Sequence, residues 1–444
     1  MMKMNSKKLF IETYGCQMNI SDSEVVVSIL EKEGYELTKN AKDADLIFVN
    51  TCSIRENAEK KVRNRIQEFK HLKRKKPNIK VGILGCMAER LKETLLKEED
   101  FIDMVVGPDA YRDLPNLISQ TSDGRQMANT VLSLEETYAE ITPVRLDKNG
   151  ISAFISIMRG CDNYCSYCVV PYTRGHERSR NPESIIAEAK DLHAKGYKEI
   201  TLLGQNVNSY NWDLKGNKIN FAKLLKMVAE VSPELRLRFS TSHPKDISDE
   251  LIETMANTDN ICNSLHLPVQ SGSSTTLKRM KRSYDIEWYM NRIAKIKSLM
   301  PNCGLSTDII TGFCGETDEE HKETISLMQE VGYDYAFMFK YSERPDTFAA
   351  NRMADDVDEN VKAERLNEII AMQQKTSLAS NQKDIGKIFN VLVDNVSKRS
   401  NEQMSGRTAE NKVMVFDRKD AKLGDYVNVK CNKCTVGTLL GEIV

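Results

Sequence analysis

Three cysteines fall within eight residues in "CDNYCSYC": Cys161, Cys165 and Cys168, spaced four and then three apart. Four thiolates close a tetrahedral zinc site or fill a cubane cluster, whereas three leave one cubane iron with an open position that can bind a substrate. The loop holds no fourth cysteine and no histidine at zinc-finger spacing. His176 lies eight residues past Cys168 and reads as a surface or structural residue. Taken alone, these residues favour the cluster and leave zinc as the alternative. A second set is dispersed: "KLFIETYGC", "ADLIFVNTC" and "KVGILGC" end on Cys16, Cys52 and Cys86.

Each of those segments reads as a short buried strand, and the separations of 36 and 34 residues each fit one strand plus a return helix. That is the pattern of a parallel sheet with crossover helices. Ser21 three before Glu24, and Ser53 three before Glu56, read as capping boxes that start two of the helices. Ligands of open parallel sheets sit beyond the carboxyl ends of the strands, so the three cysteines should converge. From about Gln120 to Gly150 the sequence turns polar, with Pro143, and reads as a domain boundary. A second β/α series follows, with strands expected near 151–158, 199–203, 235–241, 261–267, 304–310 and 334–341. "NPESIIAEAKDLHAKG" carries a helix with Asn181 as cap, Pro182 first and Gly196 past the end. Six such units predict a partial (β/α)6 barrel, and the triple-cysteine loop lies at the carboxyl end of its first strand. A polar helix near 361–382 leads to short β-rich runs broken by glycines, as in a small OB-like β-barrel. The predicted fold class is therefore α/β in three parts: an amino-terminal parallel-sheet α/β domain (1–120), the partial barrel (150–376) and the small β-barrel (377–444).

The 444 residues exceed one ordinary core, in line with that division. No run of eighteen apolar residues and no signal-peptide pattern at "MMKMNSKKLF" point to a cytoplasmic protein without a membrane span. Eleven cysteines there argue for metal ligation or catalysis rather than disulfides. Formal net charge is −1, but Arg55 to Lys80 holds eleven Lys/Arg against three Glu. Such a run is either a solvated helix face or a contact for a polyanion. Ser377 to Val444 has a milder excess, eleven Lys/Arg against eight Asp/Glu.

CxxxCxxC after the first strand of a β/α barrel resembles the radical S-adenosylmethionine (SAM) enzymes. The resemblance implies a 4Fe-4S cluster on Cys161, Cys165 and Cys168, with SAM chelating the fourth iron and one electron releasing a 5′-deoxyadenosyl radical. It places Tyr167 near the adenine, and Gln205 and Asn206 of "LLGQNVNSY" on SAM's polar groups; their ordinary roles would be loop packing and a turn. The wider match is to the methylthiotransferase subfamily. "TYGCQMNISDSE", "NTCSIRENAE" and "GILGC" resemble its amino-terminal motifs, which implies a second 4Fe-4S cluster on Cys16, Cys52 and Cys86. "SKRSNEQMSGRTAENKVMVF" resembles the RNA-binding TRAM domain, and "LHLPVQSGSSTTLKRMKRSY" and "STDIITGFCGETDEE" fit the same subfamily. One departure is Cys314, where relatives usually read GFPGET.

"CQMN" and "CSIRENAE" are most similar to the branch that acts on tRNA carrying N6-isopentenyladenosine. By resemblance, one SAM methylates a sulfur at the auxiliary cluster and a second opens carbon 2 of the adenine to methylthio transfer. No catalytic residue beyond the cluster ligands is implied. An electron donor of flavodoxin or ferredoxin type and a monomeric state are expected. Lys398, Arg399 and Arg407 are candidate RNA-phosphate contacts. Cys262 and Cys303 read as packing residues within barrel strands, and Cys431 and Cys434 as a structural pair. Two other readings are a methylthiotransferase acting on a ribosomal-protein aspartate and an RNA-binding iron-sulfur sensor.

Overall fold

The cysteine-ending segments are neighbouring strands of one sheet. The computed structural model of the protein describes residues 6–53, 56–121, 124–147, 149–214, 216–398 and 400–444. The chain divides into two units, one of Met1–Leu146, Met158–Asn163 and Cys168–Arg180, the other of Asp147–Ile157, Tyr164–Tyr167 and Asn181–Val444. In the first, β1 (Lys7–Thr13), β2 (Tyr35–Leu37), β3 (Leu46–Thr51), β4 (Lys80–Gly85), β5 (Met104–Val106) and β6 (Met127–Asn129) form a sheet in the order β2-β1-β3-β4-β5-β6. Every pairing is parallel. All six residues of β3 are buried, as expected of a central strand covered on both faces. Alternation sorts the side chains between two cores. Leu46, Phe48 and Leu84 pack with Val25, Val26 and Leu30 of α1 (Gln17–Lys32). Ile47, Val49, Val81 and Ile83 pack with Val62, Ile66 and Phe69 of α2 (Glu56–Lys75).

Two details differ from the sequence reading. Helix α1 begins at Gln17, with Cys16 as its cap and Asn19 reaching back to it, so Ser21 is a buried residue of the second turn and not a cap. An apolar face running through Met18 extended the helix past the Ser-x-x-Glu signal. Ser53, expected as the cap of α2, is buried and accepts from Arg90 Nε at 2.7 Å, and α2 is described from Glu56, Ile54 and Arg55 lying outside the described residues. The three-residue strands β2, β5 and β6 are too short to show a period, and β6 lies inside the stretch that reads as a boundary.

In the second unit, β7 (Ser152–Ser156), β8 (Glu199–Leu203), β9 (Arg236–Ser240), β10 (Ser264–His266), β11 (Gly304–Thr311) and β12 (Tyr335–Lys340) form two parallel triplets, β9-β8-β7 and β10-β11-β12. A parallel bridge from Leu237 to Ile261 joins them, which gives the six-stranded partial barrel expected. Cys262 and Cys303 fall just outside their strands, because β10 starts at Ser264 and β11 at Gly304. Burial pushes both thiols up to about 12, consistent with packing roles. Asn181 caps the helix Pro182–Ala194 by accepting from Glu183 N at 2.8 Å.

After the helix Glu359–Gln382, five strands close a small barrel: β13 (Ile388–Val396), β14 (Gln403–Arg407), β15 (Val413–Asp417), β16 (Tyr426–Cys434) and β17 (Leu439–Ile443), in the order β13-β14-β15-β17-β16. The turn after β14 caps the amino ends of the larger barrel's strands. Arg236 donates to the Arg407 carbonyl at 2.9 Å and Arg238 to that of Thr408 at 2.7 Å. A Cβ on Gly304 would stand 2.2 Å from the Glu410 carbonyl oxygen, so only glycine admits this approach.

Candidate functional site

Cys16, Cys52 and Cys86 follow the carboxyl ends of β1, β3 and β4, and a relay of polar side chains ties the three ends together. Asn19 Oδ1 accepts from the Cys16 backbone N–H at 3.2 Å and from its Sγ at 3.3 Å. The Asn19 amide donates to the Thr51 carbonyl at 3.1 Å, beside Cys52. Asn50 Nδ2 donates back to the Asn19 carbonyl at 2.8 Å and to Ser23 Oγ at 2.9 Å. Thr51 Oγ1 donates to the Leu84 carbonyl at 2.6 Å, next to Gly85 and Cys86. Gly15 and Gly85, immediately before two of the cysteines, have φ of +123° and +89°. A Cβ on Gly15 would lie 2.5 Å from Cys52 Cβ, and one on Gly85 2.4 Å from Asn50 Oδ1. Sequence reading found the cysteines but missed this relay; the repeated Gly-Cys was its available signal.

A buried cation faces this set. Arg174 pairs with Asp22 at 2.8 Å, as does Arg159, and both guanidiniums are nearly inaccessible. Burial pushes the Cys86 thiol up, while the nearby Arg174 charge opposes that shift and a Cys16 charge adds to it. No disulfide joins any of the eleven cysteines. Among the described residues no three His, Cys, Asp or Glu side chains stand close enough to grip a single metal ion. Three cysteine thiols that follow the ends of neighbouring strands, with a cation beside one of them, are a donor set of the kind that suits a cubane cluster, in which each thiolate takes a different iron.

In the triple-cysteine loop Cys161 and Cys168 belong to the first unit and Cys165 to the second. Cys161 accepts from Asn163 Nδ2 at 3.4 Å, and its N–H donates to the Gly175 carbonyl at 3.0 Å. Gly160, with φ of +80°, is another glycine before a cysteine, and a Cβ there would lie 1.8 Å from the His176 carbonyl oxygen. His176 itself is an exposed side chain paired with Asp162 at 2.7 Å. Cys165 is buried and accepts from Arg282 Nη1 at 3.4 Å; the same guanidinium donates to the Pro268 carbonyl at 2.8 Å. Tyr167 packs edge-on against Phe313 at 6.3 Å, within a cluster that includes Tyr341 and the buried Cys314.

The carboxyl ends of β8 and β9 carry buried polar atoms without partners: Gln205 Oε1, Asn206 Oδ1, the Asn208 amide and Ser242 Oγ. Asn206 is held by Asp246, to which its Nδ2 donates at 2.7 Å. Thr241 has φ of +75°, an outlying conformation for a β-branched residue. His243 is pushed down to about 2 by burial and by the Arg282 and Lys245 charges, so it is neutral at physiological pH. Unpaired buried donors and acceptors cost about 1–3 kcal/mol each, and a polar, zwitterionic cofactor is the kind of group that satisfies them. Thr241, Ser242 and His243 were missed because "STSH" has no motif of its own.

Of the RNA candidates, Lys398 is exposed, and Arg407 is exposed and donates to Asn411 Oδ1 at 3.0 Å; Arg399 lies outside the described residues. The basic run on α2 is partly neutralised within its own unit. Arg63 pairs with Glu59 and Glu98, Arg65 with Glu12 and Glu68, Lys70 with Glu99 and Asp100, and Lys73 with Asp103. That weakens its claim as a phosphate surface. Cys431 and Cys434 both lie on β16.

Three family models match the chain: "Uncharacterized protein family UPF0004" over residues 8–107, "Radical SAM superfamily" over 155–328 and "TRAM domain" over 382–444. Curated relatives named tRNA-2-methylthio-N(6)-dimethylallyladenosine synthase include that of Amoebophilus asiaticus, 55% identical with 99% of this chain and 93% of the relative covered. That of Porphyromonas gingivalis is 52% identical over 99% of this chain and 95% of its own length. Among solved structures, a radical SAM methyltransferase from Kitasatospora setae with cobalamin and a 4Fe-4S cluster bound matches with a TM-score of 0.57 at 15% identity, covering 78% of this chain and 77% of that one. A cobalamin-dependent radical SAM enzyme matches with a TM-score of 0.55 at 14% identity, over 83% and 56%. At such identities the structural matches speak for the fold alone.

Proposed function

The chain belongs to the family of tRNA-2-methylthio-N(6)-dimethylallyladenosine synthases, and from that premise we propose that it adds a methylthio group to carbon 2 of N6-isopentenyladenosine beside the tRNA anticodon. The observation that carries the reading is the pair of cysteine triads at strand carboxyl ends, with Arg174 beside Cys86 and Arg282 beside Cys165. Radical SAM membership goes with SAM and a 4Fe-4S cluster; the second cluster is our proposal. Cys161, Cys165 and Cys168 would hold the first, Cys16, Cys52 and Cys86 the second. When bound, these groups supply one-electron cleavage of SAM and a sulfur platform, which an unactivated aromatic C–H requires because it offers acids, bases and nucleophiles no handle.

The chain's own residues bind and orient. Gln205 and Asn206, with Asn208 and Ser242, offer unsatisfied amide and hydroxyl groups to SAM's amino acid and ribose. Tyr167, its ring held edge-on by Phe313, would lie against the adenine. Arg282 donates to Cys165 Sγ at 3.4 Å, and the Arg174 charge beside Cys86 opposes the upward push of burial on that thiol. Lys398, Arg399 and Arg407 of the small barrel would neutralise tRNA phosphates. We assign the three working parts to residues 1–120, 150–376 and 377–444. Among the described residues no helix is long and apolar enough to cross a membrane; a cytoplasmic monomer served by a flavodoxin- or ferredoxin-type donor completes the proposal. Anaerobic incubation with isopentenylated tRNA, SAM and dithionite, followed by nucleoside mass spectrometry, tests it: the methylthiolated nucleoside is expected, and its absence with loaded protein overturns the reading.

A further inference from the structure

The inner face of the partial barrel is not uniformly closed. On β8 and β9 nearly every side chain is buried, on β11 alternate residues are half-buried, and on β12 the alternate residues Tyr335, Phe337 and Phe339 are 53%, 40% and 37% exposed while Ala336 between them is buried. Residues two apart on a strand share a face, so three aromatic rings form one open strip. Phe337 meets Tyr335 edge-on at 4.9 Å and His266 of β10 edge-on at 5.7 Å. His266 in turn contacts Ser306 through Nδ1 at 3.1 Å and Asp308 through Nε2 at 3.4 Å. Strand register sets Asp308 beside Phe337. Two residues past His266, the Pro268 carbonyl holds the Arg282 guanidinium that donates to Cys165. The strip therefore adjoins the strand end that carries the cation of the cysteine loop.

Three exposed rings on one strand face, bordered by a carboxylate and an imidazole, suit a ligand with a flat π-system, a short hydrocarbon branch and one polar edge. A protein partner is a poor fit, since three rings fall far short of the roughly 800 Å² that each side of a stable complex buries. An adenine bearing a five-carbon alkenyl group on N6 has all three features. We propose that this face of β10, β11 and β12 receives the target nucleotide, with Phe337 and Tyr335 covering the dimethylallyl group and the Asp308 carboxylate accepting the N6–H. The base must leave its stack to arrive there, as bases modified within folded RNA generally do. This rests on the reading that the chain acts on dimethylallyladenosine in tRNA, and it adds the residues that select that substrate.

The test uses the full cluster-loaded chain and two synthetic anticodon-arm RNAs that differ only in the dimethylallyl group, with affinity measured by fluorescence anisotropy. Burying a few methylenes discriminates by roughly tenfold or more, so the wild type is expected to bind the alkylated RNA about tenfold tighter. Phe337→Ala should reduce that ratio to within about twofold, Phe337→Leu should keep an intermediate ratio, and both should unfold at the wild-type temperature because the ring is exposed. Asp308→Asn should weaken both RNAs alike, since each has an N6–H. Full discrimination in both Phe337→Ala and Tyr335→Ala would overturn the pocket while leaving the activity standing. Failure of the wild type to methylthiolate the alkylated RNA would overturn the underlying reading and the pocket with it.

Discussion

Cys16, Cys52 and Cys86 come from three strand ends 36 and 34 residues apart, whereas Cys161, Cys165 and Cys168 come from one loop of eight residues. The dispersed set has no local chain to fix its geometry. Buried amide side chains do that work, Asn19 and Asn50 bridging the ends of β1 and β3 and Thr51 reaching β4. The compact set is fixed by backbone instead, with Gly160 turned into a conformation and a space that exclude any Cβ. Both sets place an arginine beside one thiol, Arg174 by Cys86 and Arg282 by Cys165. The two proposed ligand sets thus rest on tertiary hydrogen bonds in one region and on local backbone in the other, and they should break in different ways.

The largest effect is expected at the compact set. Replacing Cys161, Cys165 and Cys168 by Ala should halve the iron content, from about eight to about four per chain, and abolish reductive SAM cleavage. Iron and 5′-deoxyadenosine assays read the two quantities directly. Gly160→Ala should do nearly the same through the backbone alone, because its Cβ would lie 1.8 Å from a carbonyl oxygen. Retention of all eight irons in the triple variant would refute the ligand assignment.

The mirror experiment is Asn50→Ala, which strands buried partners on Asn19 and Ser23. A loss of about 3 kcal/mol in unfolding free energy follows from leaving such groups unpaired, with the remaining iron belonging to the compact set and SAM cleavage preserved. Equal loss of both clusters would show that the two regions are not independently held.

These contrasts also explain what could be read from sequence. The six cysteines, the parallel-sheet pattern and the barrel were legible because each repeats a short signal: a strand ending on Gly-Cys or Thr-Cys, the CxxxCxxC spacing, and six apolar runs separated by helices. Asn181 was legible because its cap is local. Asn19, Asn50, Arg174 and Arg282 were not, because their roles depend on partners that tertiary folding delivers: Asn50 reaches Asn19 across 31 residues and Arg282 reaches Cys165 across 117. Ser21 misled because its Ser-x-x-Glu pattern sits inside a longer apolar period. The basic stretch after Arg55 looked like a phosphate surface because its acidic partners, such as Glu12 and Glu98, are distant in sequence.

A smaller effect is expected at Glu89, one turn past Cys86, whose carboxyl is buried with both oxygens unpartnered. Burial raises it from 4.5 to about 7. The folded state therefore binds this proton more tightly than the unfolded state, and stability falls as pH rises from 4.5 through 7. Glu89→Gln removes that penalty. Its melting temperature should exceed the wild type's at pH 8, by an amount corresponding to at most about 3 kcal/mol and less where solvent screens the charge, and the difference should vanish near pH 4.5. A pH-independent difference would mean that the carboxyl is ordinary.

The smallest effect is expected on the small barrel. Arg407→Ala should weaken tRNA binding a few-fold and lower its salt dependence by about one counterion, with base choice unchanged. A change in base choice would mean that Arg407 reads sequence.

The division of labour between the two cysteine sets is tested most directly by one variant. Cys16, Cys52 and Cys86 are changed together to Ala, and reductive SAM cleavage and methylthiolation of isopentenylated tRNA are measured on the same anaerobic sample. Cleavage should persist at the wild-type order of magnitude while the methylthiolated nucleoside disappears. Full methylthiolation, or loss of both activities in protein that keeps its compact-set iron, would contradict the assignment of sulfur transfer to the dispersed set and radical generation to the loop.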